Sequence, residues 1–241
     1  MSRHYISTKT RCNVCGQRTP FVCLDGNEPL IRRCIWCRST PKYRALVHVI
    51  ESWSGIPLRR LIQTRKVYEL STTSPIHRLN RGHKNYTCSA YFSDQSFGQQ
   101  LPNGAWNEDL QQLTFADGSF DLVISSETME HVRRPWVAFA EIARVLRPGG
   151  AHCFTIPYRD DRTTTSRVDT SGEENVYLAP KVYHQDPHNP EDSLLYTDFG
   201  YDLPDILRRY GFETETHRVW NESADIRDDA RPMAVFISLK R

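Results

Sequence analysis

No stretch of the 241-residue chain approaches membrane-spanning apolar length, and Met1–Arg11 lacks the apolar centre of a secretory signal. Together these absences point to a cytoplasmic protein with no membrane partner. Excess charge is lacking as well. The net charge is +2, and 25% charged against 39% hydrophobic residues is the balance of an ordinary soluble domain. No disulfide framework is evident either, since Cys23, Cys88 and Cys153 fall into no pairing pattern. Cys88 and Cys153 sit inside expected strands, where a free thiol acts as a small hydrophobe, and this suits a reducing compartment. The length is right for one full domain with a small appendage.

The near-neutral total hides an asymmetry. Residues 1–66 hold 13 Lys or Arg against three acidic residues, a local charge of +10. The remaining 18 basic and 26 acidic residues give −8. A basic part joined to an acidic one implies either an anionic partner for the first or docking of the two on each other. Charge alone does not choose.

Four cysteines stand as two pairs, Cys12-x-x-Cys15 and Cys34-x-x-Cys37, with 18 residues between them. Each pair is a knuckle that turns two thiolates toward one ion, and two knuckles complete a tetrahedral four-sulfur zinc site. Gly16 and Arg38-Ser39 fit the tight turns that follow each pair. Residues 21–33 are expected to form a hairpin turning at Asp25-Gly26-Asn27. The competing reading, a redox dithiol, needs one CxxC opening a helix in a βαβ setting, which neither pair has. A site closed by four cysteines leaves no position for catalysis at the metal.

Chemistry of another kind lies further along. Phe120–Ile124 is a short apolar, β-branched run of buried-strand length. Pro135–Leu146 then places Val137, Phe139, Ala140, Ala143, Val145 and Leu146 near a helical period. Pro148-Gly149-Gly150 stops that helix, and Ala151–Ile156 reads as the next strand. Strand, helix, turn, strand is a βαβ unit, so the fold class is α/β with a doubly wound parallel sheet. Ligands of such sheets sit beyond the carboxyl ends of the strands, here Ser125–His131 and Pro157–Tyr158. Pro41–Trp53 is an amphipathic helix with Leu46, Val49, Ile50 and Trp53 on one face. It is expected to join the cysteine module to the sheet, the two keeping separate cores. Val67–Leu70 and Tyr86–Phe92 read as the first two strands. Leu203–Tyr210 reads as a helix capped by Asp202 and closed by Gly211, and Glu213–Trp220 and Met233–Leu239 as the last strands.

From Asp109 to Val132 the chain reads D-x-x-x-L-x-F-x-D-x-S-F-D-L-V-I-S-S-E-x-x-E-H-V, and from Glu141 to Gly150 E-I-x-R-V-L-R-P-G-G. These motifs resemble the second half of class I S-adenosylmethionine-dependent methyltransferases, closest in style to the small-molecule enzymes of ubiquinone and menaquinone biosynthesis. The resemblance covers the middle fifth of the chain closely and, more loosely, Lys66 to the C-terminus. It implies a seven-stranded Rossmann-like sheet of order 3-2-1-4-5-7-6. The chain then divides into a zinc ribbon (1–40), a linking helix (41–65) and a methyltransferase domain (66–241) with an acceptor-site insertion at about 159–201.

The same resemblance implies S-adenosylmethionine as cofactor. Glu69 takes the acidic position ending the first strand, and Leu70, Ser71, Thr72 and Thr73 form the turn beside the methionine part. The usual glycines there are replaced by Ser71, Thr73 and Pro75. The second strand of the family ends in an acid that holds the ribose hydroxyls; here Ser89, Ala90 and Tyr91 stand there, with Asp94 or a hydroxyl as the substitute. Asp109 would accept from the adenine amino group with the Leu110 backbone reading the ring, and Ser125, Ser126 and Glu127 complete the wall. The polar stretch Arg159–Tyr201 is too long for an ordinary loop. Its first part is hydrophilic and expected to be mobile, while Tyr183, His184, Asp186 and His188 are acceptor-site candidates. His184-x-Asp186-x-His188 has alternate spacing that suits metal ligation from a strand, against which stands Pro187. His131 and His184 are the candidate bases, with Tyr158 on the same rim. His131 reads equally as a helix-start histidine bonded to backbone.

Three functions compete. The first is methyl transfer to a small-molecule acceptor. The second is an RNA methyltransferase whose basic ribbon grips phosphates, although the Arg and Lys residues are not interleaved with stacking aromatics beyond Trp36 and Tyr43. The third is a methyltransferase-like binding module without catalysis, which the missing glycines support.

Overall fold

The computed structural model describes residues 5–6, 10–23, 32–184, 193–222, 224–226 and 232–241. Short apolar runs become the strands of one sheet: β1 (Val67–Glu69), β2 (Tyr86–Ala90), β3 (Gln99–Gln100), β4 (Trp106–Asn107), β5 (Phe120–Ser126), β6 (Leu146–Thr155), β7 (Phe212–Val219) and β8 (Met233–Lys240). Their spatial order is β7-β8-β6-β5-β1-β2-β4-β3. Without β3 this is the expected order of seven. The added edge strand turns back from β4 in antiparallel register, Gln99 opposite Asn107, around a turn containing Gly104. Strands β4, β2, β1, β5 and β6 run parallel, and β8 and β7 close the other edge antiparallel.

Side-chain alternation along the strands divides the core between the two faces of the sheet. Val67, Leu122, Ile124, Cys153, Val235 and Ile237 point one way; Tyr68, Val123, Phe154 and Phe236 point the other. The first face is covered by α1 (Pro41–Ser54), which starts with Pro41 and ends at Gly55 in a left-handed conformation, and by α2 (Leu58–Thr64). The second face is covered by α4 (Pro135–Val145), α5 (Leu203–Arg208) and Phe199 of the insertion. A short α3 (Pro75–Asn80) follows β1. Within β6, which starts at Leu146 rather than at the expected Ala151, Pro148-Gly149-Gly150 shifts the register, from Phe120 opposite Leu146 to Leu122 opposite Ala151. Gly150 is needed there, because a Cβ would lie 2.9 Å from the Arg147 carbonyl oxygen and 3.0 Å from that of Asp121.

Several expectations are corrected. The cysteine module has no core of its own: Cys12, Phe21, Cys34 and Cys37 belong to the same buried cluster as α1 and the sheet face. Val137 and Ala140 of α4 face solvent, and Ala138, Phe139, Ile142, Ala143 and Val145 make the buried stripe. The Asp202 side chain does not cap α5 but accepts from Thr164 N at 2.7 Å. The first part of the insertion is built structure. Tyr158–Arg159 and Thr165–Ser166 flank Thr197–Gly200 in a small sheet, and Val168–Asp169 pairs with Val176–Tyr177. Arg167 anchors it through Asp198 at 2.7 Å.

Candidate functional site

Phe21–Cys23 pairs antiparallel with Arg33–Cys34, as the hairpin reading requires, while its Asp25-Gly26-Asn27 turn lies outside the described residues. The two knuckles bring their sulfurs together. Cys12 Sγ lies 3.7 Å from Cys37 Sγ and Cys15 Sγ lies 3.8 Å from Cys34 Sγ, all four within 4.8 Å of one another. A tetrahedron with zinc–sulfur bonds of about 2.3 Å has edges of about 3.8 Å, whereas a disulfide is about 2.05 Å. The donor set therefore fits zinc. Hydrogen bonds from Cys12 and Cys37 hold the Cys34 thiol well below its usual range, whereas hydrogen bonds with Cys12 and Cys34 push Cys37 up.

A buried ion network ties this module down. Arg44 of α1 is fully buried. It donates to the Ser39 carbonyl at 2.5 Å and the Asp225 carbonyl at 2.7 Å, meets the Asp225 carboxylate at 3.2 Å, and lies 4.0 Å over the Phe21 ring. Arg32 Nε reaches the same carboxylate at 2.9 Å. Desolvation lowers the Arg44 pKa to about 10, and the charge of Asp225 opposes that shift. Lys42 pairs with Glu127 at 3.1 Å and Arg65 with Asp121 at 3.3 Å. Thus basic residues of the N-terminal segment dock on carboxylates of the rest of the chain.

The carboxyl end of β1 lies beside the four-cysteine module. Glu69 is buried and receives a short hydrogen bond from the Tyr86 hydroxyl. Burial pushes its pKa up to about 7, against hydrogen bonds from Ser74 and Tyr86 and the charge of Arg78. Leu70 N donates to Ile124 O at 2.9 Å and Thr73 N to Ser71 Oγ at 3.3 Å; Ser71 and Thr72 are half-buried and Thr73 is exposed. Ser74 Oγ accepts from His77 N at 2.8 Å and so caps α3. Arg78 bridges the two sites: one nitrogen holds the Thr73 carbonyl at 2.7 Å, the other the Cys37 carbonyl at 2.8 Å. Tyr43 of α1 bonds Ser126, and burial raises its hydroxyl to about 12. Arg78 escaped the sequence reading because nothing local marks it, and Tyr43 entered there only as a stacking aromatic.

Tyr91, just past β2, is exposed and stacks on Phe97 at 5.7 Å. Asp109 and Leu110 follow β4, both half-buried; Asp109 Oδ1 accepts from Gln111 N at 2.8 Å. At the end of β5, Ser125 turns inward to His152 Nε2 at 2.9 Å, and Ser126 bonds the Thr155 hydroxyl at 2.9 Å. Glu127 adopts a left-handed φ of 51°, costly for a residue with a side chain and typical of functional turns. Ser71–Thr73, Tyr91, Asp109–Leu110 and Ser126–Glu127 thus line one rim. Hydroxyls, an aromatic face and a half-buried carboxylate suit a ligand that joins an amino acid to a nucleoside.

On the same rim the turn Met129–His131 meets the insertion. Tyr196 N donates to the Glu130 carbonyl at 2.8 Å, and His184 N to the Ser193 carbonyl at 3.0 Å. This pairing sets the His184 ring edge-on to His131 with centroids 4.9 Å apart. Tyr158 follows β6, edge-on to Phe236 at 5.1 Å and under Arg218. Asp186 and His188 lie outside the described residues. A separate cleft of about 230 Å³, lined by Trp53, Arg65, Asp121, Arg147 and Gly149, opens at the amino end of β5. Ligands of doubly wound sheets bind at the opposite ends, so the rim is the candidate site.

Residues 86–154 match the family of methyltransferase domains. Over 38 residues the chain is 58% identical to an uncharacterized methyltransferase of Mycobacterium avium (strain 104) and 53% identical to one of Mycobacterium tuberculosis (strain ATCC 25177 / H37Ra). That segment is 16% of this chain, which spans only 15% of the length of those relatives. A solved S-adenosylmethionine-dependent methyltransferase from Mesorhizobium loti shares the fold. Its TM-score is 0.50 and its identity 16%, over 85% of this chain and 100% of that one.

Proposed function

We propose that this chain, which carries a class I S-adenosylmethionine-dependent methyltransferase domain, transfers a methyl group to a small-molecule acceptor. The observation that carries the reading is the polar rim at the carboxyl ends of β1, β2, β4 and β5, within and beside the segment that matches the methyltransferase family. When bound, the cofactor supplies an electrophilic methyl on a sulfonium, so the chain has mainly to align and desolvate. Ser71–Thr73 would hold the amino-acid end, Tyr91 the ribose, and Asp109 with the Leu110 backbone the adenine. On this reading His131 or His184 would take the acceptor proton, directly or through a bound ion.

Structural zinc on Cys12, Cys15, Cys34 and Cys37 belongs to this reading, held by sulfurs at tetrahedral spacing. Its place is to support the rim: the Cys37 carbonyl and the Thr73 carbonyl share Arg78.

Docking of Arg32, Lys42, Arg44 and Arg65 on carboxylates of this chain favours a small acceptor over RNA, because those charges are already paired. Radiolabelled methyl from S-adenosylmethionine should therefore enter the small-molecule fraction of an extract, with little effect of added salt. Label entering RNA, through a complex that weakens steeply with salt, would reverse the order of acceptors.

A further inference from the structure

The turn after β5 carries a carboxylate that the methyl-transfer reading leaves without a task. Glu130 is fully buried, and neither of its carboxylate oxygens has a hydrogen-bond partner. A carboxylate in that condition is costly unless a cation or a proton neutralises it. His131 lies alongside, Nε2 3.6 Å from Glu130 Oε1, with its Nδ1 3.1 Å from the Leu194 carbonyl oxygen. A carbonyl only accepts, so Nδ1 donates to it and the ring is fixed with Nε2 toward Glu130. Metal-ligating histidines are oriented in this way, by a second nitrogen bonded to backbone. His184 arrives from the insertion, 53 positions along the chain, and completes the group. One donor atom from each of the three lies within 4.8 Å of the others.

We propose that Glu130, His131 and His184 bind a divalent first-row transition cation through one carboxylate oxygen and two imidazole nitrogens. With bonds of about 2.0–2.2 Å, such an ion sits among donors roughly 3–4 Å apart. A small rotation of the half-buried His184 ring closes the set. The donors are harder than the four sulfurs of the N-terminal module, so the two sites select different metals. Three protein ligands also leave positions open. On the methyl-transfer reading, which this consequence rests on, the two histidines serve as ligands rather than free bases, and an acceptor hydroxyl taking an open position would give up its proton more readily.

The test is titration of the zinc-replete full chain with Mn²⁺, followed by electron paramagnetic resonance of the free ion. Mn²⁺ is the weakest binder of its row and leaves zinc on thiolates undisturbed. One Mn²⁺ per chain is expected, weakened at least about tenfold in His184→Ala and in Glu130→Gln. His184 is half-buried and its loss leaves the core intact, so that variant decides even if Glu130→Gln folds poorly. Wild type that takes up no Mn²⁺ to millimolar concentration, or unchanged uptake in His184→Ala, overturns the proposal. Binding of S-adenosylmethionine, measured without Mn²⁺, tests the methyl-transfer reading separately, so the two can fail independently.

Discussion

The four-cysteine module and the rim of the sheet are neighbours built on opposite principles. In the module, hydrogen bonding and ion pairing are nearly complete: sulfurs meet at tetrahedral spacing, and Arg44 spends its donors on Ser39, Arg32 and Asp225. On the rim, a group is left wanting: the buried carboxylate of Glu130 has no hydrogen-bond partner among the described residues. Saturation makes a part of a fold that supports, and unmet demand makes a part that binds. Arg78 joins the two.

Removing a zinc ligand should have the largest effect. Cys34→Ser should release the metal and destabilise the whole chain in one cooperative transition, because the module and sheet share a buried cluster. Circular dichroism through a thermal ramp checks this. A sheet that melts as in wild type after the ribbon is lost would break the comparison.

Next in size is Asp225→Ala, which strands two buried guanidiniums and should cost about 3–5 kcal/mol by denaturant unfolding. A loss below about 1 kcal/mol would mean that water reaches them.

Glu69 gives a pH dependence. Its pKa in the folded state, about 7, lies above the ordinary 4.5, so the fold favours the protonated form. That contribution is complete below the unfolded pKa and disappears as pH rises through the folded one. Wild type should therefore lose stability relative to Glu69→Gln between about pH 4.5 and 7, by on the order of 3 kcal/mol. Parallel stability curves for the two proteins would show a carboxylate already ionised and well paired.

How far these regions were legible follows from how local their causes are. The cysteine pairs and the order strand, helix, strand from Phe120 to Ile156 are set by residues close in sequence and stand as read, although the second strand starts at Leu146 and the helix turns a different stripe inward. The Arg44–Asp225 contact spans 181 positions, and no pattern in either segment announces it. Edge strand Gln99–Gln100 has no apolar run because it is exposed on both faces, and α2 is only seven residues long, with Leu58, Leu61 and Ile62 as its whole apolar stripe. On the rim, E-T-M-E-H-V marks the place, but the backbone contact of Glu130 with Tyr196 of the insertion spans 66 positions. Asp202 was read as a cap from its position, whereas its carboxylate holds the insertion.

A smaller effect is expected on the rim itself. Asp109→Ala should weaken S-adenosylmethionine by about 1–3 kcal/mol while leaving the melting transition in place. Unchanged affinity would move the adenine away from the end of β4.

The most direct test is calorimetric titration of S-adenosylmethionine into the zinc-loaded wild-type chain. One molecule per chain, bound with lower affinity in Asp109→Ala, is the predicted result. No heat of binding from a folded, zinc-replete protein would contradict the account and leave a methyltransferase fold that serves as a binding module.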